Sequence, residues 1–570
     1  MQRREFLTLL AAAAAAGLPI HRLAAAMRPA SGEFYDVPRL GNVHLLHLTD
    51  SHAQLTPVYF REPSENIGVG AARNRPPHLV GEYFLQEFGI EAGGRLAHAM
   101  TCLDFADAAA TYGKMGGFAH LATLIKQLRA SRPGAMLLDG GDLWQGSATA
   151  LWTRGQDMVD ASLALGVEAM TGHWEFTLGD ERVLELVEND LHGKMDFLAQ
   201  NVRDSGFGDP VFKAWRMREM NGVNVAVIGQ AFPYTPIANP SYMMPNWNFG
   251  IREDDIQANV EAARAAGAQV VVLLSHNGMD VDLKLASRVT GIDAILGGHT
   301  HDAVPQPSLV KNAGGQTIVA AGGSNGKFLG VLDFDVASGK VRDWQYRLLP
   351  VFANLLPADP EMDRLITSAR APYAKQLAEP LAVTEDLLYR RGNFNGSFDQ
   401  LIVDALRERK DAEIALSPGF RWGASLLAGD TITMETLMSQ TAITYPTTTV
   451  SEMTGERLKL VLEDVADNLF NPNPYYQQGG DMVRTGGLTY AIAPKAEMGK
   501  RIRNMRVNGE PVAAAKRYRV SGWASVDKIP EGTPIWDLVA DWLRDHKTVT
   551  AGEPDQPKLL GVRGNKGLPA

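Results

Sequence analysis

Five short segments of this 570-residue chain concentrate the side chains that bind metals: Asp50-Ser51-His52, Gly140-Gly141-Asp142, Gly172-His173-Trp174-Glu175-Phe176, Ser275-His276-Asn277 and Gly297-Gly298-His299-Thr300-His301. The candidate ligands are Asp50, His52, Asp142, His173, His276, His299 and His301. Carboxylate oxygens mixed with imidazoles suit divalent first-row metals such as Mn, Zn or Fe(II), and argue against a thiolate-type structural zinc site. With one carboxylate shared, seven such groups suffice for two metals and an exchangeable water, the equipment of two-metal hydrolysis. His44, His47 and His120 lie inside regular segments and read as ordinary core or surface histidines.

Four of the five segments close a short apolar run: Val43 to Leu48, Met136 to Leu138, Val270 to Leu274 and Ala294 to Leu296. Runs of Val, Ile and Leu bounded by Gly or polar residues read as buried strands of an α/β sheet. Ligands would then gather where several strands end, the usual place for a site in such sheets. Helical patterns at Phe118 to Ala130, Gln156 to Leu165 and Glu253 to Ala266 alternate with these runs.

In this order the boxes resemble those of the calcineurin-type metallophosphoesterases, and within them the 5'-nucleotidase family. The resemblance implies that Asp50, His52 and His301 hold one metal, that His173, His276 and His299 hold the other, and that Asp142 bridges them. It also implies a four-layer α/β/β/α sandwich followed by a smaller α+β C-terminal domain. The third box departs from the family pattern Gly-Asn-His-Glu-Phe-Asp. Here His173 replaces the Asn ligand, Trp174 the catalytic His, and Thr177 the Asp that orients it. An indole N–H donates a hydrogen bond but carries no proton near neutral pH. A reaction that expels a sulfur anion needs less help, since a thiol has a pKa of about 8.5. A Gly-His-Trp-Glu box, together with Gly479 to Gly487, is similar to the thiosulfohydrolases of the bacterial sulfur-oxidation (Sox) pathway. That similarity implies a dimanganese enzyme that removes the terminal sulfonate, as sulfate, from a cysteine S-thiosulfonate on the flexible C-terminal arm of a carrier, SoxYZ. Hydroxide held between the metals would attack the sulfonate sulfur, with Asp142 and Trp174 in the reacting site. A periplasmic 5'-nucleotidase or another phosphoesterase is the competing enzyme, and a metal-binding docking protein the competing non-enzyme.

Arg3-Arg4-Glu5-Phe6-Leu7, an Ala-rich apolar stretch and Ala24-Ala25-Ala26 read as a twin-arginine export signal over residues 1–26, which places the mature chain in the periplasm. Nothing after it approaches a membrane span. Cys102 is the only cysteine, so no intrachain disulfide forms, and a working thiol must come from a partner. The formal charge is -10, and residues 1–26 are net basic, so the remainder is more acidic still. An acidic chain without a basic run excludes nucleic acid as the expected partner.

The expected domains are the catalytic sandwich over 31–350, with an insertion at 53–114 that shows few periodic runs, a linker helix over 356–381, and a substrate domain over 382–546. Residues 547–570 read as an extended or disordered tail. The resemblance gives Arg421 as a substrate-binding guanidinium; Arg484 is a second candidate, either could equally be exposed or salt-bridged, and the mechanism has Trp174 pack against the carrier arm or exclude water. The family's nucleoside clamp has no counterpart, because Asp481 to Gly486 carries no ring and the second clamp region reads Ser521-Gly522-Trp523-Ala524-Ser525-Val526.

Overall fold

The structure is a computed structural model that describes residues 34–570, so the export signal expected over 1–26 lies outside the described residues. The N-terminal domain is built on short strands: β1 (Val43–Leu48), β2 (Met136–Asp139), β3 (Val167–Met170) and β4 (Asp196–Phe197). They continue as β5 (Arg203–Asp204), β6 (Trp215–Met220), β7 (Val223–Gln230), β8 (Trp247–Asn248), β9 (Val270–Ser275) and β10 (Ala294–Gly297). Last come β11 (Ser308–Asn312), β12 (Gly315–Ala321), β13 (Phe328–Ala337) and β14 (Lys340–Pro350). One six-stranded sheet runs β14-β13-β1-β2-β3-β4, a second β11-β12-β10-β9-β7-β6, and β5 pairs with β8 alone.

Side chains alternate across a strand, and the alternation sorts the apolar residues into layers. Leu46 and Leu48 of β1 pack under the helices Phe118–Ser131, Gln156–Leu165 and Pro360–Arg370. Val43 and Leu45 of the same strand point the other way, into a core shared with Val225, Val227, Val270, Val272 and Leu274 of the second sheet. Ala226, Ile228, Val271 and Leu273 on the far face of that sheet are covered by helices Glu253–Ala265 and Met279–Ala286. The result is helix, sheet, sheet, helix, the expected four-layer sandwich. Truncating a fully buried leucine such as Leu46 would cost about 2–5 kcal/mol through lost transfer energy and the void left behind.

The linker departs from a single helix. Asp359 caps Pro360–Arg370 by accepting from Met362 N at 3.1 Å. Pro372 has no N–H to continue it, and the chain passes through a turn at Ala371–Tyr373 into a short helix, Ala374–Leu377. Beyond it, helices Ser397–Lys410, Met434–Thr441 and Ile535–His546 share one core, and Gly455–Phe470 packs on strands Leu488–Ile492 and Ile502–Val507 in another.

Two further segments are more ordered than their composition suggests. The 53–114 insertion folds into three helices, Gly81–Phe88, Arg95–Met100 and Phe105–Tyr112, and Leu79, Phe84 and Met100 join the core between the sheets. Buried Lys327 fastens it, with Nζ 2.5 Å from Glu62 Oε1 and donating to the carbonyls of Phe60 and Ala99. The tail is ordered rather than disordered. Lys558–Leu559 pairs with Leu488–Ile492, Asn565 is 4% exposed, and Val80 N and Asn66 N donate to the carbonyls of Lys566 and Gly567. Polar, Gly-rich composition concealed this because much of the tail's hold is through its backbone, with only a few apolar side chains such as Val549, Leu559 and Leu568 packing against the cores.

Candidate metal centre

The first two ligand loops leave the carboxyl ends of neighbouring strands in one sheet, β1 and β2, and the last two leave β9 and β10 in the other. Asp50, His52, Asp142, His299 and His301 all adopt positive φ, between 45° and 73°. Such backbone costs of order 1–3 kcal/mol per residue and persists only where the surroundings fix it. Here the loops brace one another: Asp50 N donates to Gly141 O, His52 N to Asp142 O, both at 2.9 Å, and His299 N to Asp50 Oδ1, also at 2.9 Å.

All seven candidate residues converge. Asp142, His173, His276 and His299 form one group and Asp50, His52, Asp142 and His301 a second, each with ligand atoms within 4.8 Å of one another and every member buried. Asp142 belongs to both groups, the arrangement a bridging carboxylate requires. His52 Nε2 lies 3.0 Å from His301 Nε2 and 3.6 Å from Asp142 Oδ2. His276 Nε2 is 3.0 Å from Asp142 Oδ2, and His173 Nδ1 is 3.2 Å from Asp142 Oδ1.

Burial, with the neighbouring His301, pulls the His52 pKa down to about 4, and burial together with His173 and His276 holds His299 well below its usual range. Burial pushes the Asp50 carboxyl up. His276 goes the opposite way: burial alone would depress it, but Asp142 and Asp50 outweigh that and raise it to about 10. Its Nδ1 donates to Gly140 O at 2.6 Å, which leaves Nε2 facing the carboxylates. The residues fit two divalent metals. His299 Nδ1 is buried without a hydrogen-bond partner, an expensive condition for an imidazole that has nothing to bind.

Glu175 of the third box organises the centre. Its carboxylate accepts from Leu143 N at 2.6 Å, His173 N at 2.8 Å, Trp144 N at 3.2 Å and Asp142 N at 3.3 Å, which fixes two ligand loops to each other. Sequence reading assigned it no role, although its fixed place in the box was a signal. Trp174 follows His173 with its ring among Phe420, Trp422 and Tyr445 of the C-terminal domain, the Tyr445 ring parallel to it within 7°. Thr177 Oγ1 donates to Trp174 O at 2.7 Å, so it serves the backbone and not a proton carrier. Trp422 also stacks on His52 with centroids 4.7 Å apart.

Of the two arginines, Arg421 stands at the site. Its Nη1 donates to His299 O at 3.3 Å, Nη2 donates to Gly480 O, and the side chain lines a cavity of about 50 Å³ with His299, Asn277 and Arg391. Arg484 is corrected. It is fully buried in the C-terminal domain, 3.2 Å from both Asp399 Oδ2 and Asp481 Oδ2, and its Nη2 donates to Gly392 O at 3.0 Å. Its guanidinium is spent on Asp399 and Asp481 inside the domain. His44 and His120 are structural, paired with Asp333 Oδ1 at 2.8 Å and donating to Leu356 O at 2.7 Å.

No helix among the described residues is long and apolar enough to cross a membrane. The family model described as the 5'-nucleotidase C-terminal domain matches residues 382–525. Among solved structures, the sulfate thiohydrolase SoxB of Thermus thermophilus, in complex with glycerol, is 37% identical, with a TM-score of 0.88 over 93% of this chain and 99% of that one. A 5'-nucleotidase precursor, also of Thermus thermophilus, shares the fold at 22% identity, with a TM-score of 0.72 over 91% of this chain and 99% of its own. Among curated proteins, the 5'-nucleotidase of Bos taurus is 24% identical over 71% of this chain and 76% of its own length. A snake venom 5'-nucleotidase of Gloydius brevicauda is 28% identical over 38% of this chain, and the match spans 40% of that protein's length.

Proposed function

The chain belongs to the family of SoxB and the 5'-nucleotidases, and from that premise we propose that it is a thiosulfohydrolase releasing sulfate from a carrier-bound cysteine S-thiosulfonate. The observation that carries this reading is the third box. Trp174 occupies the place of a proton-carrying histidine, among aromatic rings, beside a complete set of metal ligands. Water attacks the sulfonate sulfur, the S–S bond breaks, its electron pair leaves on the carrier persulfide, and the attacking water gives up its protons as sulfate forms. Two divalent ions, manganese first among those these ligands suit, would supply an activated water and positive charge against the sulfonate oxygens. Asp50, His52, Asp142 and His301 would hold one of them, and Asp142, His173, His276 and His299 the other.

The chain's own groups do the remaining work. Arg421 offers a guanidinium, whose planar fork suits sulfonate oxygens, beside His299. The Trp174 ring excludes water from one side of the centre, and its indole N–H has no protein acceptor among the described residues. A persulfide is a better leaving group than an alkoxide, so the loss of the histidine carries little penalty for this reaction. The carrier is SoxYZ in this reading, and the Arg3-Arg4 segment directs the enzyme to the periplasm. The competing reading, a 5'-nucleotidase or other phosphoesterase, is supported by the curated relatives. Trp174→His separates the two. We expect weakened sulfonate release and a gain of p-nitrophenyl phosphate hydrolysis; unchanged sulfonate cleavage with no phosphatase gained would show that this position does not set the reaction.

A further inference from the structure

The two ligand groups differ in how the outer nitrogens of their histidines are held. In the group sharing Asp142, His173, His276 and His299, the protein engages all three: His276 Nδ1 donates to Gly140 O at 2.6 Å, His299 Nε2 donates to Gln478 O at 3.2 Å, and His173 Nε2 faces Asn239 Nδ2 at 3.4 Å. In the other group His52 Nδ1 and His301 Nδ1 are buried with no partner. Two of the three holds depend on the C-terminal domain. Gln478 belongs to it, and so does Tyr445, whose hydroxyl donates to Asn239 Oδ1 at 2.9 Å. Asn239 is 1% exposed and Tyr445 8%.

We propose that Tyr445 and Asn239 are positioning residues through which the C-terminal domain orients His173, so that one of the two metal sites is completed across the domain interface. The inference rests on His173 being a metal ligand. With a metal on His173 Nδ1 the ring's Nε2 carries the proton, so the Asn239 amide must turn its Oδ1 to accept from that N–H and its Nδ2 to the Tyr445 hydroxyl, which accepts as readily as it donates. Groups that fix the ring of a metal-bound histidine in this way are worth about 10–100-fold in metal affinity. Tyr445 has a separate packing role, its ring lying parallel to Trp174 at 6.1 Å, and Tyr445→Phe preserves that contact while removing the hydroxyl.

The test is a manganese titration of the metal-free full-length protein against a competing chelator, comparing His173→Ala, Tyr445→Phe, Asn239→Ala and the last two combined. His173→Ala should take up one equivalent where the parent takes two. Tyr445→Phe and Asn239→Ala should each weaken that same equivalent about 10- to 100-fold and leave the other untouched. The double variant should be little worse than either single one, because the residues act in series. Excess manganese should restore turnover in the single variants and not in His173→Ala, which a general loosening of the fold would not allow. Unchanged affinity in both single variants, or equal losses at both sites, would overturn the proposal. If His173→Ala still binds two equivalents, the ligand assignment fails and the proposal falls with it. Should Tyr445→Phe not fold, Asn239→Ala decides, since it leaves the aromatic interface intact.

Discussion

His52 and His301 meet Nε2 to Nε2 at 3.0 Å, with both rings buried. Two neutral imidazoles so placed can share at most one proton, and two charged ones would repel strongly. The low pKa of each follows: burial first, then the His301 neighbour against the opposing pull of Asp142 for His52, and burial with Arg391 and Arg421 for His301. A pair of lone pairs kept free of protons at neutral pH is what a divalent cation needs, and Asp50 Oδ1 stands 3.4 Å from His301 Nε2 to complete the site.

His276 makes the complementary prediction. Its pKa, raised to about 10 in the metal-free centre, means that it carries a proton at pH 7–8 that a metal must displace. Manganese binding should therefore release about one proton from His276, read as a buffer-dependent heat in titration calorimetry; His276→Ala should abolish that proton release, and a buffer-independent heat in the parent would contradict it.

Glu175→Gln replaces one carboxylate oxygen with an NH2 that faces backbone donors. With four N–H groups converging there, the change should cost roughly 2–4 kcal/mol, because a buried donor left without an acceptor loses about 1–3 kcal/mol. Denaturant melts measure the loss, and metal content should fall with it as the ligand loops loosen.

Acid stability reports on His47 and His98, neither of them a metal ligand. Burial, the largest cause in each, lowers their folded pKa values to about 4, below the ordinary value of 6.5. The unfolded chain therefore binds protons first, so their contribution is present above pH 6.5 and is lost as the pH falls through 4. Each steepens the loss by up to about 1.4 kcal/mol per pH unit in that window. Replacing His47 with Gln should flatten the slope of stability against pH there; an unchanged slope would show that His47 does not control it.

Deleting residues 561–570 should free the insertion. Asn565 Nδ2 donates to Gly68 O at 2.9 Å, Lys566 N to Asn74 Oδ1 at 2.8 Å, and Val80 N to Lys566 O at 3.1 Å. At about 0.5–1.5 kcal/mol per bond, stability should drop by on the order of 1.5–4.5 kcal/mol. Limited proteolysis should then cut within 66–80, where the parent resists.

The metal centre was legible in the sequence because its chemistry is local. Six of the seven ligands follow a short apolar run, His173 being the exception, and the run's own periodicity says where the strand stops. What escaped depends on tertiary contact. Nothing near Tyr445 announces that its hydroxyl will reach Asn239 and, through it, His173, more than 200 residues distant in the chain. Arg484 reads as a substrate guanidinium until its burial between Asp399 and Asp481 is seen. The tail's composition suggests disorder, yet its backbone finds partners on the insertion and on strand Leu488–Ile492. Apolar periodicity reports burial of side chains and is silent about backbone pairing across domains.

The most direct test is product release by the manganese-loaded protein from a cysteine S-thiosulfonate displayed on a carrier or on a peptide with a flexible Gly-rich arm, with AMP run alongside. The account predicts sulfate from the first and no phosphate from the second. Phosphate without sulfate would contradict it, and would return the chain to the nucleotidase reaction.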